Sequence, residues 1–516
     1  MTEFHTERPP ERFNMARYCL ECGDLRPAGK TALIVSTTPD ASTAAETWTY
    51  GELEDAVLRM AAGLRADGLN TGDRLLIRLE NTSDFALLFF AAIAAGLIAL
   101  PASSALSARE VAYYLEDSGA RAIALAPHLP AADIPSGVKI YREEDVAALR
   151  KFATRGAYAP TRGDDPAFLI YTSGTTASSK GVLHAHRSVW GRRPMYRGWY
   201  AITPQDRVLH AGAFNWTYTL GTGLCDPWAN GATALVYTGE KDPSVWFRLM
   251  AAHDATIFAA VPTLYRQILK YCDVESGVPP SLRHGLTAGE TLPGEVARNW
   301  RERTGTPLYE ALGMSEMSTF ISSSPSVPVK AGAVGKPQDG RIVVILPAEG
   351  GADPLPAGEE GLIAVHRSDP GLMLGYWNRP EEEARVMHGD WFCGGDLGVM
   401  DEEGYITHRG RNDDLMNALG YRVSPLEVEQ VLAEHPDIAE VAVTEVQVRE
   451  DVRVIGAFIV LRNNALSDPE SFKTFAGAML ADYKMPREFI FIDRLPRTPN
   501  GKLKRRELHR FYRPSG

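Results

Sequence analysis

The chain has 516 residues, of which 45% are hydrophobic and 23% charged, a composition typical of ordinary globular proteins. A chain of this length exceeds one hydrophobic core, so we expect two or more domains. The net charge of -11 disfavours nucleic-acid binding, which requires a basic surface. Five cysteines, an odd and sparse number, favour reduced thiols and a cytoplasmic location.

Up to about residue 400, apolar strands alternate with amphipathic helices. Helices are predicted at 53–66 and 243–252, and strands at 74–78, 121–125, 167–171, 207–210, 234–237 and 256–260. The apolar run 85–100 is shorter than the roughly 20 residues that span a bilayer, and Gly96 and Pro101 interrupt it. We therefore expect a buried helix that leads into a strand, and no integral membrane association.

From Gly340 onwards, the alternation of helices and strands gives way to strands separated by glycines. Glycine-punctuated strands are predicted at 341–346 and 361–365, and a compact unit follows with helices at 424–434 and 467–481 and strands at 438–446 and 453–461. The predicted fold class is α/β, with a large N-terminal domain of α/β sheets, a β-rich subdomain and a small mobile α+β C-terminal domain. We place the domains at residues 1–412 and 413–516.

A loop rich in hydroxyl groups follows the strand predicted at 167–171. It has the sequence Tyr171-Thr-Ser-Gly-Thr-Thr-Ala-Ser-Ser-Lys180-Gly181. Its backbone N–H groups can turn inward on an anion, and Lys180 adds a positive charge, which favours phosphate binding. It is not the usual nucleotide-triphosphatase loop, because Gly181 stands where a magnesium-binding hydroxyl is required. A plain surface turn is the alternative for this loop taken by itself.

Further motifs follow the hydroxyl-rich loop in a fixed order. They are Thr287-Ala-Gly-Glu290, Tyr309-Glu-Ala-Leu-Gly-Met-Ser-Glu316, Gly395-Asp396, Gly410-Arg-Asn-Asp-Asp414 with Gly420-Tyr-Arg422, and Pro499-Asn-Gly-Lys502. Each is weak by itself: Asp396 could be a turn residue, Glu316 a surface carboxylate and Lys502 an exposed hairpin lysine. Together, and over nearly the whole chain, they resemble the adenylate-forming superfamily of acyl-CoA synthetases, peptide-synthetase adenylation domains and luciferases.

The resemblance implies an ATP-dependent carboxylate–CoA ligase that uses ATP, Mg²⁺ and coenzyme A with a small-molecule carboxylic acid. Attack of the acid on the α-phosphorus of ATP would form an acyl-adenylate and release pyrophosphate. CoA would then displace AMP and give the acyl-CoA. The charge that develops on the phosphates requires cations and hydrogen-bond donors set in place around it.

The resemblance also assigns roles to individual residues. Lys502, Ser315 and Glu316 are the expected catalytic residues, with Ser315 on the α-phosphate and Glu316 as the Mg²⁺ ligand. Lys502 would bridge the carboxylate and the α-phosphate. The expected nucleotide and CoA contacts are Thr172, Ser173, Gly174, Thr175, Thr176, Lys180, Gly289, Glu290, Glu310, Ala311, Leu312, Asp396, Arg411, Gly420 and Arg422. Asp396 would accept hydrogen bonds from the ribose hydroxyls.

The expected acyl pocket draws on Phe214, Trp216, Tyr218, Gly313 and Thr319. By composition alone the three aromatic residues could equally belong to the core. In acetate-activating relatives a tryptophan stands at the position of Gly313, so we expect a deeper pocket here. Asp413 is the expected hinge, about which the small domain would turn so that Lys502 leaves and Gly420 lines the pantetheine tunnel.

The sequence departs from the family pattern at two places. Ala177-Ser178-Ser179 precede Lys180 where the family has Gly-x-Pro, and we expect altered loop dynamics with function retained. The chain looks most like benzoate-type ligases, but Thr319 stands where that group carries a histidine. We therefore expect a substrate larger than acetate, an aryl acid such as a benzoate derivative, with an alicyclic or medium-chain acid left open.

Other branches of the superfamily remain as alternatives. A peptide-synthetase module carries a carrier domain after the catalytic lysine, whereas this sequence ends soon after Lys502, so a free-standing ligase is expected in the cytoplasm. An adenylation enzyme that loads a separate carrier protein is less favoured. A catalytically silent nucleotide sensor is disfavoured, because Lys180, Glu316, Asp396 and Lys502 are all present. A homodimer is left open.

Overall fold

The computed structural model describes residues 7–39, 46–129, 134–172, 179–414, 416–418, 421–449, 452–462, 468–480, 484–498 and 503–513. By chain contacts the protein divides into two compact units. The large unit comprises Met1–Ile342 and His366–Met387, and the small unit comprises Val343–Val365 and His388–Gly516. The predicted boundary between residues 412 and 413 therefore falls inside the small unit.

The helices and strands follow the chain in this order. The first half contains α1 Met15–Leu20, β1 Thr31–Ser36, β2 Glu46–Thr49, α2 Tyr50–Ala66, β3 Arg74–Arg78, α3 Ser83–Ala94, β4 Ile98–Pro101, α4 Ala108–Ser118, β5 Ala122–Leu125, β6 Lys139–Tyr141, α5 Glu143–Arg150, β7 Pro166–Thr172, β8 Lys180–Ala185, α6 Arg193–Met195, β9 Arg207–His210, α7 Thr217–Leu220, α8 Asp226–Ala229, β10 Thr233–Tyr237 and α9 Val245–Ala252. The rest contains β11 Ile257–Ala260, α10 Pro262–Tyr271, α11 Val274–Gly277, β12 His284–Ala288, α12 Gly294–Thr304, β13 Leu308–Met314, β14 Ser318–Ser322, β15 Lys336–Pro337, β16 Val343–Leu346, β17 Glu360–His366, β18 Gly375–Tyr376, α13 Pro380–Val386, β19 Met387–His388, β20 Trp391–Met400, β21 Ile406–Arg411, β22 Met416–Ala418, β23 Tyr421–Val423, α14 Pro425–Ala433, β24 Ile438–Arg449, β25 Val452–Leu461, α15 Pro469–Gly477 and β26 Glu488–Phe491.

The large unit contains a sheet with the strand order β15-β14-β13-β12-β11-β9-β10-β1-β2. Strands β13, β12, β11, β9, β10 and β1 pair in parallel, and antiparallel strands close both edges. Parallel strands end at the same edge of a sheet, which is where open α/β sheets bind their ligands. The segments after β9, β12 and β13, which carry the predicted pocket and nucleotide residues, therefore begin at one edge.

A second sheet of the large unit has the order β18-β8-β7-β4-β3-β5-β6. Its strands are parallel from β7 to β6, and β8 and β18 are antiparallel. Helix α3, which is apolar from Phe85 to Ala94, packs on it as a core element, and Gly96, at a φ of 77°, turns the chain from that helix into β4. This confirms the buried helix and strand predicted for 85–100. Among the described residues, the helices are too short or too polar to cross a membrane.

The small unit contains two larger sheets, which follow each other along the chain. Strands β16, β17, β20 and β19 form a sheet in that order, and β21 pairs with β20. After the β22–β23 hairpin, α14 and α15 pack on a sheet with the order β24-β25-β26. Leu346, Leu362 and Leu397 belong to one buried cluster, whereas Met416 and Val428 belong to the next.

Candidate active site

Ser315 and Glu316 lie in the tight turn between β13 and β14. The Met317 amide donates to the Met314 carbonyl at 3.2 Å and closes this turn. Two distant segments hold its backbone: His184 Nε2 lies 2.8 Å from the Ser315 carbonyl, and the Met373 amide donates to the Glu316 carbonyl at 2.8 Å. The Glu316 carboxylate is therefore presented from a backbone that is fixed on both sides.

The Glu316 side chain is linked to Lys180 through Tyr376. The Tyr376 hydroxyl donates to Glu316 Oε1 at 2.7 Å, and Lys180 Nζ lies 4.2 Å above the centre of the Tyr376 ring. Lys180 begins β8, opposite Thr172 at the end of β7. The structure thus brings Thr172, Lys180 and Glu316 into one region, as predicted, whereas Ser173, Gly174, Thr175 and Thr176 lie outside the described residues.

Lys180 also forms an ion pair that an incoming triphosphate would have to displace. Its Nζ lies 3.0 Å from Glu382 Oε2 of α13, and both side chains are about four-fifths buried, at 17% and 20% exposure. We expect Glu382→Gln to lower the KM for ATP about two- to fivefold, because partly exposed pairs of this kind contribute about 1 kcal/mol or less. Steady-state adenylation kinetics would measure the change. Glu381→Gln, which removes the same charge from an exposed neighbour, is the control, and equal KM values in the two variants would contradict the prediction.

The residues expected to border adenine lie on neighbouring strands. Gly289 and Glu290 follow β12, and Glu310, Ala311 and Leu312 are part of β13, with Thr287 paired to Glu310 and Ala288 to Ala311. The two glutamates hold this edge together: Glu290 Oε2 accepts from the Thr263 hydroxyl at 2.7 Å, and Glu310 Oε1 accepts from the Leu292 amide at 2.9 Å.

An aromatic cluster lies beside Gly289. A Cβ atom at this glycine, whose φ is 91°, would lie 2.6 Å from the Trp216 ring, so the ring packs directly on the backbone. The Trp216 and Tyr218 rings meet edge to face, with centroids 5.3 Å apart. One predicted acyl-pocket residue, Trp216, thus contacts the predicted adenine segment, and a second, Tyr218, packs on Trp216. Phe214 has a core environment, 2% exposed and 5.4 Å from the Phe85 ring.

The structure gives a reason for glycine at position 313 that differs from the predicted one. It lies at the irregularity in β13–β14 pairing, and a Cβ atom there would be 2.6 Å from the Ser318 carbonyl oxygen and 2.7 Å from Thr319 Cα. Close approach of two backbones therefore requires glycine at this position. The absence of a side chain is thus no evidence for a deep acyl pocket. Thr319 is buried on β14, at 5% exposure.

Buried histidines give the large unit a defined response to acid. Burial lowers the pKa of His184 and of His186 from 6.5 to about 4, and that of His210 to about 3. In the unfolded chain these histidines bind protons near pH 6.5, whereas in the folded chain they remain neutral until the pH is much lower. The free energy of unfolding is therefore highest above pH 6.5 and decreases as the pH falls towards 4. We expect the urea midpoint of the large unit to fall between pH 7 and pH 4.5, and His186→Gln to weaken the decline. A midpoint independent of pH would contradict this.

In the small unit, two predicted nucleotide residues lie side by side on paired strands. Asp396 of β20 pairs with Arg411 of β21, and their side chains approach to 3.7 Å. His408 Nε2 lies 2.9 Å from Asp396 Oδ1, although the sequence offered no motif that pointed to this histidine. For Asp413 and Arg422 the structure describes the backbone alone, in the turn Asn412–Asp414 and in β23. Gly420 and Lys502 lie outside the described residues.

Comparisons with known proteins identify the family of this chain. The model of the AMP-binding enzyme family matches residues 23–377, and that of the AMP-binding enzyme C-terminal domain matches residues 427–502. The chain belongs to the AMP-binding enzyme family. It is 32% identical to a benzoate–CoA ligase of Thauera aromatica, over 97% of this chain and 96% of the relative.

Solved structures show the same fold. A benzoate CoA ligase from Burkholderia xenovorans LB400 superposes with a TM-score of 0.85 at 29% identity, covering 96% of this chain and 100% of that one. ATP-bound MatB from Rhodopseudomonas palustris gives a TM-score of 0.87 at 27% identity, covering 97% and 98%. The predicted family, fold class and enzyme class are confirmed: the protein is an AMP-forming acid–thiol ligase that uses ATP, Mg²⁺ and CoA.

Proposed function

We propose that this ligase activates an aryl carboxylic acid, a benzoate derivative, as its acyl-adenylate and transfers the acyl group to CoA. The observation that carries the proposal is the packing of the Trp216 ring on Gly289, with Tyr218 against its edge. It sets a flat aromatic surface beside the segment proposed to hold adenine. Similarity over nearly the whole chain to a benzoate–CoA ligase supports the same acid class.

We propose nucleotide-binding roles for residues of each unit separately. In the large unit, Thr172, Ser173, Thr175, Thr176 and Lys180 would bind the β- and γ-phosphates, Ser315 the α-phosphate, and Gly289 to Glu290 and Glu310 to Leu312 the adenine. In the small unit, Asp396 would accept from the ribose hydroxyls. Arg411 and Arg422 would contact ribose and phosphate. The pairing of Asp396 with Arg411 supports their joint role, since it places the carboxylate beside a cation.

The chemistry proceeds in two displacements. A carboxylate oxygen of the acid attacks the α-phosphorus, the bond to the bridging oxygen breaks, and pyrophosphate leaves. The CoA sulfur then attacks the acyl carbonyl carbon, AMP leaves and the thiol proton passes to solvent. In the first step Lys502 would reduce the repulsion between the carboxylate and the α-phosphate.

Glu316 fits the role of a magnesium ligand. Mg²⁺ prefers hard oxygen donors and is usually held by one or two carboxylates together with substrate phosphates. Glu316 supplies such a carboxylate, and the hydroxyl of Tyr376, bonded to Oε1, orients it. When bound there, Mg²⁺ would neutralise charge on the triphosphate.

The second half-reaction would use a change of domain position about Asp413. The buried clusters of the small unit separate on either side of this residue, with Leu397 in one and Met416 in the next, which supports a domain boundary there. Gly420 would then line the pantetheine tunnel.

A cytoplasmic location and a homodimer belong to the same proposal. The free cysteines support the cytoplasmic location, and light scattering tests the homodimer.

Pyrophosphate–ATP exchange with a panel of acids tests the function, followed by CoA-dependent release of AMP. The panel contains benzoate, hydroxybenzoates, aminobenzoates, cyclohexanecarboxylate, hexanoate and acetate. We expect exchange with one or more aryl acids and little with acetate. Exchange confined to hexanoate or cyclohexanecarboxylate would overturn the aryl assignment, and AMP release that does not depend on CoA would overturn the ligase assignment.

A further inference from the structure

A buried arginine lies directly behind the turn that carries Ser315 and Glu316. Arg192 is 7% exposed, and its guanidinium forms a two-pronged pair with Asp226: Nε to Oδ1 at 2.8 Å and Nη2 to Oδ2 at 2.6 Å. Its remaining Nη1 group donates to the hydroxyl of Ser318. The Tyr200 hydroxyl also donates to Asp226 Oδ2, at 2.5 Å.

Ser318 is the residue at which the turn re-enters β14. Its φ of 79° lies in the left-handed region, which residues with a Cβ atom rarely adopt. Such a conformation persists where surrounding contacts determine it, and it is often found at functional sites. Two contacts hold the Ser318 hydroxyl: it accepts from Arg192, and it donates to Met195 Sδ at 3.8 Å.

A cavity beside the turn has a volume of about 30 Å³, room for about one water molecule. Arg192, Ser318, Met317 and His184 are among the residues that line it. Since apolar packing is incomplete beneath the turn, its position depends on polar anchors. These anchors include His184 at Ser315, the Met373 amide at Glu316, Arg192 at Ser318, and Arg341, whose Nη2 donates to the Thr319 carbonyl at 3.3 Å.

Stability alone does not account for the buried pair. Replacing such pairs by apolar residues is often neutral or stabilising, because the desolvation of two charges offsets their attraction. Burial by itself lowers the pKa of Arg192, but the Asp226 carboxylate raises it above its ordinary value, so the charge is kept. The chain also makes room for the guanidinium: a Cβ atom at Gly221 would lie 2.0 Å from Arg192 Nη2.

We propose that Arg192, oriented by Asp226, is a positioning residue: through Ser318 it fixes the turn and thereby the placement of Ser315 and Glu316 on the triphosphate and Mg²⁺. This inference rests on the proposed role of that turn. Arg192 acts through the turn and does not itself touch the reacting atoms. Its removal should therefore impair adenylation, and leave the CoA step, which uses no triphosphate, largely intact.

The test uses Arg192→Met combined with Asp226→Leu, which removes both charges together and leaves neither buried without a partner. Arg283→Met with Asp206→Leu is the matched control. It removes a pair of 2.8 Å whose aspartate is also buried, at the start of β9 and β12, away from the turn. Melting temperature, pyrophosphate–ATP exchange at several Mg²⁺ concentrations, and thioester formation from supplied acyl-adenylate are measured in each protein.

We expect the Arg192 double variant to lose about 10- to 100-fold in exchange turnover and to need more Mg²⁺, since small misplacements in an active site have effects of this size. Thioester formation should change less than about threefold, as should both steps in the control. Arg192→Lys, which keeps a cation beside Asp226, should retain part of the exchange turnover that the double variant loses. Equal loss in both half-reactions, equal loss in the control, or unchanged Mg²⁺ dependence would overturn the proposal.

A separate readout distinguishes this inference from the proposed function. Thermal shifts with ATP and with Mg²⁺–ATP are recorded for the same proteins. If no acid of the panel supports exchange in the unaltered protein, the proposed function fails, and the thermal shifts still decide the positioning role. The Arg192 double variant should then lose the part of the shift that depends on Mg²⁺, whereas a retained shift would overturn the inference.

Discussion

Glu316→Gln is expected to lower the adenylation rate about 100- to 1000-fold and to raise the Mg²⁺ concentration needed for half-maximal exchange. The amide keeps the size of the carboxylate, and its oxygen can still accept from the Tyr376 hydroxyl, so the turn should keep its structure. What the variant loses is the negative charge that we propose holds the metal against the triphosphate. Exchange kinetics over a range of Mg²⁺ concentrations would measure both effects.

Tyr376→Phe is the matched variant for this prediction. It keeps the ring beneath Lys180 and removes the hydroxyl that orients Glu316, so we expect a loss of about 10- to 100-fold, the usual size for one hydrogen bond to a charged group. Thioester formation from supplied acyl-adenylate should survive in both variants. A Glu316→Gln enzyme with the original Mg²⁺ dependence would show that this carboxylate is not the metal ligand.

Local structure could be predicted from the sequence wherever the hydrophobic periodicity and the residues that begin or end an element point to the same bounds. The strands predicted at 74–78 and 207–210 have those bounds in the structure. Helix α2 begins at Tyr50 rather than at Leu53, because Thr49 and Glu52 form a capping box: the Thr49 hydroxyl accepts from the Glu52 amide at 3.2 Å. The apolar pattern places the helix, and the polar cap before it determines the first turn.

Contacts between segments that are far apart in the chain could not be predicted from the sequence. Motifs mark the residue types suited to phosphate and metal, such as Lys180 and Glu316. The residues that hold them carry no pattern of their own: Tyr376 is 60 positions from Glu316, and His184 is 131 positions from Ser315. His184 and Tyr376 belong to one sheet, and the turn with Ser315 and Glu316 belongs to the other, so only the packing of the two sheets brings these residues together.

Gly313 shows that one glycine can have two explanations, a predicted opening of the acyl pocket and the close approach of two backbones. The glycine invites the inference that a wall of the acyl pocket is missing. In the structure, the backbone of Ser318 and Thr319 occupies the place of any side chain there. A tryptophan at this position would have to displace a strand, so substitution of Gly313 cannot isolate pocket depth. The aromatic pair Trp216 and Tyr218 is the better basis for probing acid size.

Lys502→Ala is expected to lower adenylation by about 100-fold or more, while thioester formation from supplied acyl-adenylate stays within a few-fold of its original rate. The acid and the α-phosphate are both anionic when they must come into contact, and a lysine between them removes most of that repulsion. In the second half-reaction a neutral thioester forms and AMP departs, so a cation at this place contributes little. Measuring the two half-reactions separately reveals the asymmetry.

Lys504→Ala is the matched control, because this neighbouring lysine is partly exposed and pairs with Glu507 at 3.0 Å. It should leave both half-reactions unchanged. The Mg²⁺ dependence separates the two catalytic roles: Glu316→Gln should shift it, whereas Lys502→Ala should lower turnover at every Mg²⁺ concentration by the same factor. Equal loss of both half-reactions in Lys502→Ala would show that the lysine supports the fold or the CoA step, and would remove it from the adenylation chemistry.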